Sequence, residues 1–206
     1  MAAGRAGINR SALSRTLKSA KFTRALKPDF KRLFMNYSKK IIRQMLNEFE
    51  SHPVTQEISA GPKASNISKT LSGKGNLFSF IGFESGKDPI KPLRLLLERT
   101  TVEFLAISKG TVDFKVNFPT NEQIYEVTQM PWAKGRSWVR GVEHGMSGIG
   151  QYMYGNKDFS QSRSGSAIQN KGKLRGGNFR NTSYISEIRR NFIKNLRKFS
   201  TKNLST

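Results

Sequence analysis

The chain has 206 residues, no cysteine and a formal net charge of +22. That length suits one domain with appendages, or at most two small domains, and the missing cysteines exclude disulfides and thiolate metal sites. Without a run of about 18 apolar residues, nothing in it suits a bilayer-spanning helix, and the start has no apolar segment of the secretory kind. The charge is unevenly placed. Residues 1–43 hold twelve Lys or Arg against one acid (+11), residues 44–131 nine against ten (−1), and residues 132–206 fifteen against three (+12). A near-neutral middle free to build a core is flanked by two basic ends, through which a polyanion would be attracted.

Residues 1–28 contain no acid and are rich in Arg, Lys, Ser and Ala. Two readings stay open here: a mitochondrial transit peptide, or a basic arm that orders against a partner. From Asp29, a plausible N-cap after Pro28, the spacing predicts a helix over 29–50. Its stripe is Phe30, Leu33, Phe34, Tyr37, Ile41, Ile42, Met45, Leu46 and Phe49, with Lys31, Arg32, Lys39, Lys40 and Arg43 on the other face. Pro53 disfavours helical geometry at His52, so SHPVTQEISAGP reads as an elbow running into a polar connector over 59–75. The run Leu77, Phe78, Phe80, Ile81, Phe83, bounded by glycines, predicts a buried strand. Asp88-Pro89 predicts a helix start, running to about Arg99.

Residues 101–118 alternate: Val102, Phe104 and Ala106, then, after a turn at 108–110, Val112, Phe114, Val116 and Phe118. This predicts a β-hairpin with one apolar face. Thr120 and Gln123 form a capping box for a helix running to about Gln129, stopped by Pro131. Residues 136–143 (RSWVRGVE) read as a further strand. The stretch 144–181 is long, weakly periodic and rich in Gly, Ser and cations, which predicts an extended loop ordered against a subunit or a nucleic acid. Ile185, Ile188, Phe192, Leu196 and Phe199 predict a C-terminal helix capped near Asn181 or Thr182. Its exposed side is basic, with Arg189, Arg190, Lys194, Arg197 and Lys198. The fold class is therefore α+β. A small antiparallel or mixed sheet with a hairpin packs against a long N-terminal helix and a C-terminal helix, as one domain over 29–206 with extended loops.

The chemistry-bearing residues are few. The only two histidines are His52 and His144, and neither has zincin-like spacing. Glu48, Glu50 and Glu57 cluster near His52, and an enzyme built around His52 and Glu57 is one candidate. A polar helix end is the other. MSGIG around Ser147 lacks the leading glycine of a nucleophile elbow. No Walker or Rossmann context surrounds KLRGGNFRN. The cations of SRSGSAIQNKGKLRGGNFR could follow a nucleic-acid backbone, or could clamp a subunit.

Four blocks then resemble a known family. HPVTQEISAGP (52–62), GNLFSFIGFESGKDPI (75–90), RSWVRGVEHGMSGIGQY (136–152) and RSGSAIQNKGKLRGGNFRNTSYISEI (163–188) are similar to neck or tail-completion proteins of tailed bacteriophages. These belong to a broad head–tail joining family of ring-forming α/β proteins. The resemblance spans about residues 29–199 and leaves the 1–28 arm unmatched. It implies a non-enzymatic virion protein without a cofactor. Such a protein is assembled in the host cytoplasm into a homo-oligomeric ring between capsid and tail, through which DNA passes. Its partners would be portal, adaptor, tail-tube or terminator proteins, with non-specific contact to genomic DNA and no membrane. Arg163, Lys171, Lys173, Arg175, Arg180, Arg189 and Arg190 are the candidate contacts to a DNA-filled lumen or a neighbouring subunit. The rival expectation is a basic RNA-binding protein of a ribosome-like particle.

Overall fold

The computed structural model describes residues 20–71, 75–108, 111–131, 133–145, 152–154, 168–170 and 180–199. Its elements in chain order are α1 (Ala20–Ser51), α2 (Pro53–Ser59), a 3-10 turn (Gly61–Lys63), α3 (Leu77–Ile81), α4 (Lys91–Leu97), β1 (Thr101–Ser108), β2 (Thr111–Asn117), α5 (Asn121–Val127), β3 (Gln129–Met130), β4 (Ala133–Ser137), α6 (Trp138–His144), β5 (Tyr152–Tyr154), β6 (Ile168–Asn170) and α7 (Ile185–Leu196). The strands form three antiparallel pairs, β1–β2, β3–β4 and β5–β6. The expected mixed α+β class, with its long N-terminal and C-terminal helices, is borne out.

The core lies where α1 passes between the hairpin and α7. Phe34, Ile41, Met45 and Phe49 are buried at helical spacing on α1. The ring of Phe34 meets Phe104 and Phe114 of the hairpin at 6.1 and 5.4 Å, and Phe199 edge-on at 5.2 Å. The α1–α7 contacts run in opposite chain directions. Tyr37 donates its hydroxyl to the Asn195 carbonyl (2.6 Å), Asn191 donates to Glu48 (2.6 Å), and the His52 ring lies 4.7 Å from Tyr184. The two helices are thus antiparallel, with Ile188, Phe192 and Leu196 turned into the same core.

The hairpin follows its alternation, pairing Val102 with Val116 and Phe104 with Phe114. A bulge between Phe104 and Ala106 leaves Leu105 on the outside, 56% exposed. The capping box is present in both directions: Thr120 accepts from the Gln123 N–H, and Gln123 accepts from the Thr120 N–H. Its helix, α5, ends at Val127, two residues before the expected stop.

Four expectations need correction. The first helix does not start at Asp29; it begins at Ala20 and runs through Pro28. Pro28 is exposed, and its missing N–H leaves the helix one rung short of its hydrogen-bond ladder. Asp29 pairs with Arg32 (3.2 Å) instead of capping. The apolar run at 77–81 is a helix, not a strand. Asn76 accepts from the Ser79 N–H (2.9 Å) at its start, and Gly82, at φ 83°, closes it with a left-handed turn. Residues 138–144 are also helical, and the strand expected there is the preceding β4, which pairs with β3 rather than with the hairpin. Trp138, Val139 and Val142 share the buried side, while Arg140 stays exposed. Finally, α4 begins at Lys91 rather than at Asp88-Pro89 and ends at Leu97. The Asp88 carboxylate still accepts from the Ile90 and Lys91 N–H groups (3.0 and 3.1 Å).

Most of the expected 144–181 loop lies outside the described residues, as do residues 1–19. Within it, β5 and β6 pair in register Tyr152↔Asn170 to Tyr154↔Ile168.

Candidate functional site

The acids that cluster near His52 in sequence diverge in space, and each holds a different element. Glu48 accepts from Asn191 of α7. Glu50 takes the Arg94 guanidinium of α4 in a two-point ion pair, which raises the arginine pKa, and Asp88 adds a third, looser contact at 3.8 Å. Glu57, fully buried, accepts from the Leu77 N–H (2.7 Å), the Ser68 N–H (2.7 Å) and the Asn66 amide (2.9 and 3.2 Å). A buried carboxylate with this many donors is an anchor for the chain around it. Here it ties α2 to the connector and to the start of α3.

His52 occupies the bend between α1 and α2, extended at φ −64° and ψ 134°, as Pro53 demands. Its Nδ1 accepts from the Val54 N–H (3.2 Å), which makes it the N-cap of α2. So the elbow is present, but it leads into a second helix before the polar connector begins. Burial lowers the imidazole pKa from its ordinary value, against the opposing pull of Glu187, the Ser183 backbone, Glu48 and Glu143.

Tyr184 stands beside it. The phenol is completely buried, shares a 2.6 Å hydrogen bond with the Thr55 hydroxyl, and has its pKa pushed up by burial. Trp138 lies between Tyr184 (6.2 Å) and Phe83 (6.0 Å). Glu143 of α6 accepts from the Tyr184 and Ser186 N–H groups (3.1 and 2.8 Å), so it caps α7 from outside. Neither Asn181 nor Thr182 does so. Further ties run from the Thr182 N–H to the Val142 carbonyl (3.1 Å) and from the Arg180 N–H to the Thr70 carbonyl (2.8 Å). Segments of all four sequence blocks thus meet in one interlocked corner.

The cations behave differently. Lys31, Arg32, Lys39, Lys40 and Arg43 on α1, and Arg190, Lys194, Arg197 and Lys198 on and just beyond α7, are all exposed. Among the described residues, Arg32 and Arg94 are the cations with carboxylate partners within 4.0 Å. Of the predicted contact residues, Arg180 is exposed and Arg190 is on the outer side of α7. Arg189 turns inward, its guanidinium 5.1 Å over the Phe118 ring and 3.4 Å from Asn121, so it pins α7 to the end of the hairpin. Arg163, Lys171, Lys173 and Arg175 lie outside the described residues.

One feature was missed by the sequence reading. An open groove of about 340 Å³ lies between β4 and α6, with Arg136, Arg140 and His144 among its lining residues and glycines 135, 141 and 145 around them. The strand reading of 136–143 hid it, because only a helix from Ser137 onward puts Arg140 and His144 one turn apart. Elsewhere, no three of the described His, Asp or Glu side chains converge on one point, and no helix among the described residues is long and apolar enough to cross a membrane. No family model, no curated protein and no solved structure matches the chain.

Proposed function

We propose that this chain is a structural, non-catalytic virion protein of a tailed bacteriophage, one subunit of a neck ring that lies between capsid and tail and lets DNA pass. The observation that carries the reading is the spread of exposed cations along the outer faces of α1 and α7, all but Arg32 without a carboxylate partner among the described residues. Charges laid over a surface, rather than gathered in a pocket, suit a polyanion contacted through its phosphates without reading its bases. The resemblance of the four blocks supplies the kind of particle. Their meeting in one corner supports taking that likeness as belonging to a single structural body. Arg180 and Arg190 remain the described members of the proposed contact set, whereas Arg189 serves the fold.

Electron microscopy of tailed particles carrying a labelled copy tests this directly, with density at the neck expected and its absence overturning the reading. RNA of a ribosome-like particle is the rival polyanion. The purified chain, weighed by light scattering and titrated with duplex DNA and structured RNA at stepped salt, separates the two. A ring-sized multimer with weak, sequence-blind DNA binding is expected. A monomer that prefers structured RNA by orders of magnitude overturns it.

A further inference from the structure

We propose that the groove between β4 and α6 is a binding site for a phosphate group of a polynucleotide backbone. It is separate from the helix faces, and it rests on the reading of the chain as a polyanion-contacting protein. Arg136 comes from β4, Arg140 from the first turn of α6 and His144 from its last residue. All three are exposed, and none has a carboxylate partner among the described residues. The nearest acid along the helix, Glu143, is turned to the start of α7.

The Arg140 guanidinium lies 5.9 Å over the Tyr125 ring, and its backbone N–H is held by the Ser137 hydroxyl (3.2 Å), so the side chain departs from a fixed base. Ser137 is itself locked by a 2.7 Å bond to Thr128. Two forked guanidiniums and a ring N–H offer more donors than one carboxylate can accept. A tetrahedral phosphate, with oxygens facing several directions, matches them better. Gly135 and Gly145 have φ of +79° and +99°, which favours glycine there; the space beside Gly135 is open, whereas the Asn181 side chain stands against Gly145. A sugar–phosphate chain can therefore approach the backbone closely at Gly135. The volume is at the low end for small-ligand sites. Among the described lining residues the one ring is the His144 imidazole and the fixed charges are the Arg136 and Arg140 guanidiniums, so the phosphate is the part recognised.

The test uses the full chain, isotope-labelled for NMR, with a 20-nucleotide duplex and inorganic phosphate as separate probes. The duplex should shift the amides of Gly135, Gly141, His144 and Gly145. R136Q/R140Q should weaken duplex binding about tenfold and flatten its logarithmic salt dependence by the equivalent of about one to two phosphates. K87Q/K91Q, which removes the same charge elsewhere on the surface, should change binding by less than about twofold. R136K/R140K keeps the charge and checks that any loss comes from binding rather than folding; it should retain the native amide spectrum and bind more weakly than the parent. Equal losses from R136Q/R140Q and K87Q/K91Q would overturn the proposal. So would groove amides that answer only to inorganic phosphate. If the duplex shifts α1 and α7 amides but leaves the groove silent, the groove falls and the polyanion reading stands. If the duplex shifts nothing, both fall.

Discussion

The corner around His52 and the outer faces of α1 and α7 handle charge in opposite ways. In the corner, Glu48, Glu50, Glu57 and Glu143 each meet a donor from another element, and the buried Glu57 meets several. On the faces, lysines and arginines stand in rows with almost no carboxylates to answer them. The corner has used its charges to close the fold, so its acids are accounted for by architecture. The faces have not, and their charge is available to something outside the chain. A cluster of acids beside a histidine, suggestive of catalysis in the sequence, turns out to be the less available of the two regions.

This contrast predicts that mutations in the corner reduce stability and those on the faces reduce binding. The largest effect belongs to Glu57→Ala, which strands the buried Leu77 N–H, the half-buried Ser68 N–H and the Asn66 amide and should cost about 3–5 kcal/mol, since each orphaned donor costs about 1–3. Denaturant unfolding checks it, and a loss below about 1 kcal/mol would break the contrast. A smaller effect belongs to His52. Its folded pKa lies below the ordinary 6.5, so the native state binds fewer protons than the unfolded one. Its contribution is fully present above pH 6.5 and is lost as pH falls from there through the folded value. Stability should therefore drop as pH falls below about 6.5. His52→Asn, which keeps an N-cap, should flatten that part of the pH–stability curve. The smallest stability effect belongs to the faces: K39Q/K40Q/R190Q/K194Q should move stability by no more than about 0.5 kcal/mol per site. The same variant should flatten the salt dependence of duplex-DNA binding by about 0.9 for each phosphate it no longer neutralises. If instead it unfolds the chain and leaves binding intact, the faces are structural.

The parts of this fold that were legible in the sequence share one property: a period long enough to read. The α1 stripe from Phe34 to Phe49, the hairpin alternation and the Thr120–Gln123 box all met it. Residues 77–81 did not, because LFSFI is apolar almost throughout and shows neither a helical nor a strand period. Its helix was written instead in the flanking Asn76 and Gly82. For 136–143, the strand reading placed Arg140 on the same side as Trp138 and Val142. A helix resolves that conflict, since it turns Arg140 out and brings Val139 in. The role of Glu57 could not be read locally at all. Its partners Ser68 and Leu77 lie eleven and twenty residues away, and only the folded connector brings their N–H groups to it.

The length of α1 has a mechanical consequence. Thirty-two residues at about 1.5 Å each make a rod of about 48 Å, and Phe34 is the first of its described side chains in the core. The described side chains ahead of it, from Lys27 to Leu33, lie outside that core, with Lys27, Pro28, Asp29, Lys31 and Arg32 exposed. Pro28 falls in that exposed stretch, where one rung of the hydrogen-bond ladder is missing. Load applied along the helix from its N-terminal side would meet a weakened section there, before reaching the span packed from Phe34 onward. A bend at Pro28 would thus leave the part anchored beside α7 and the hairpin in its place.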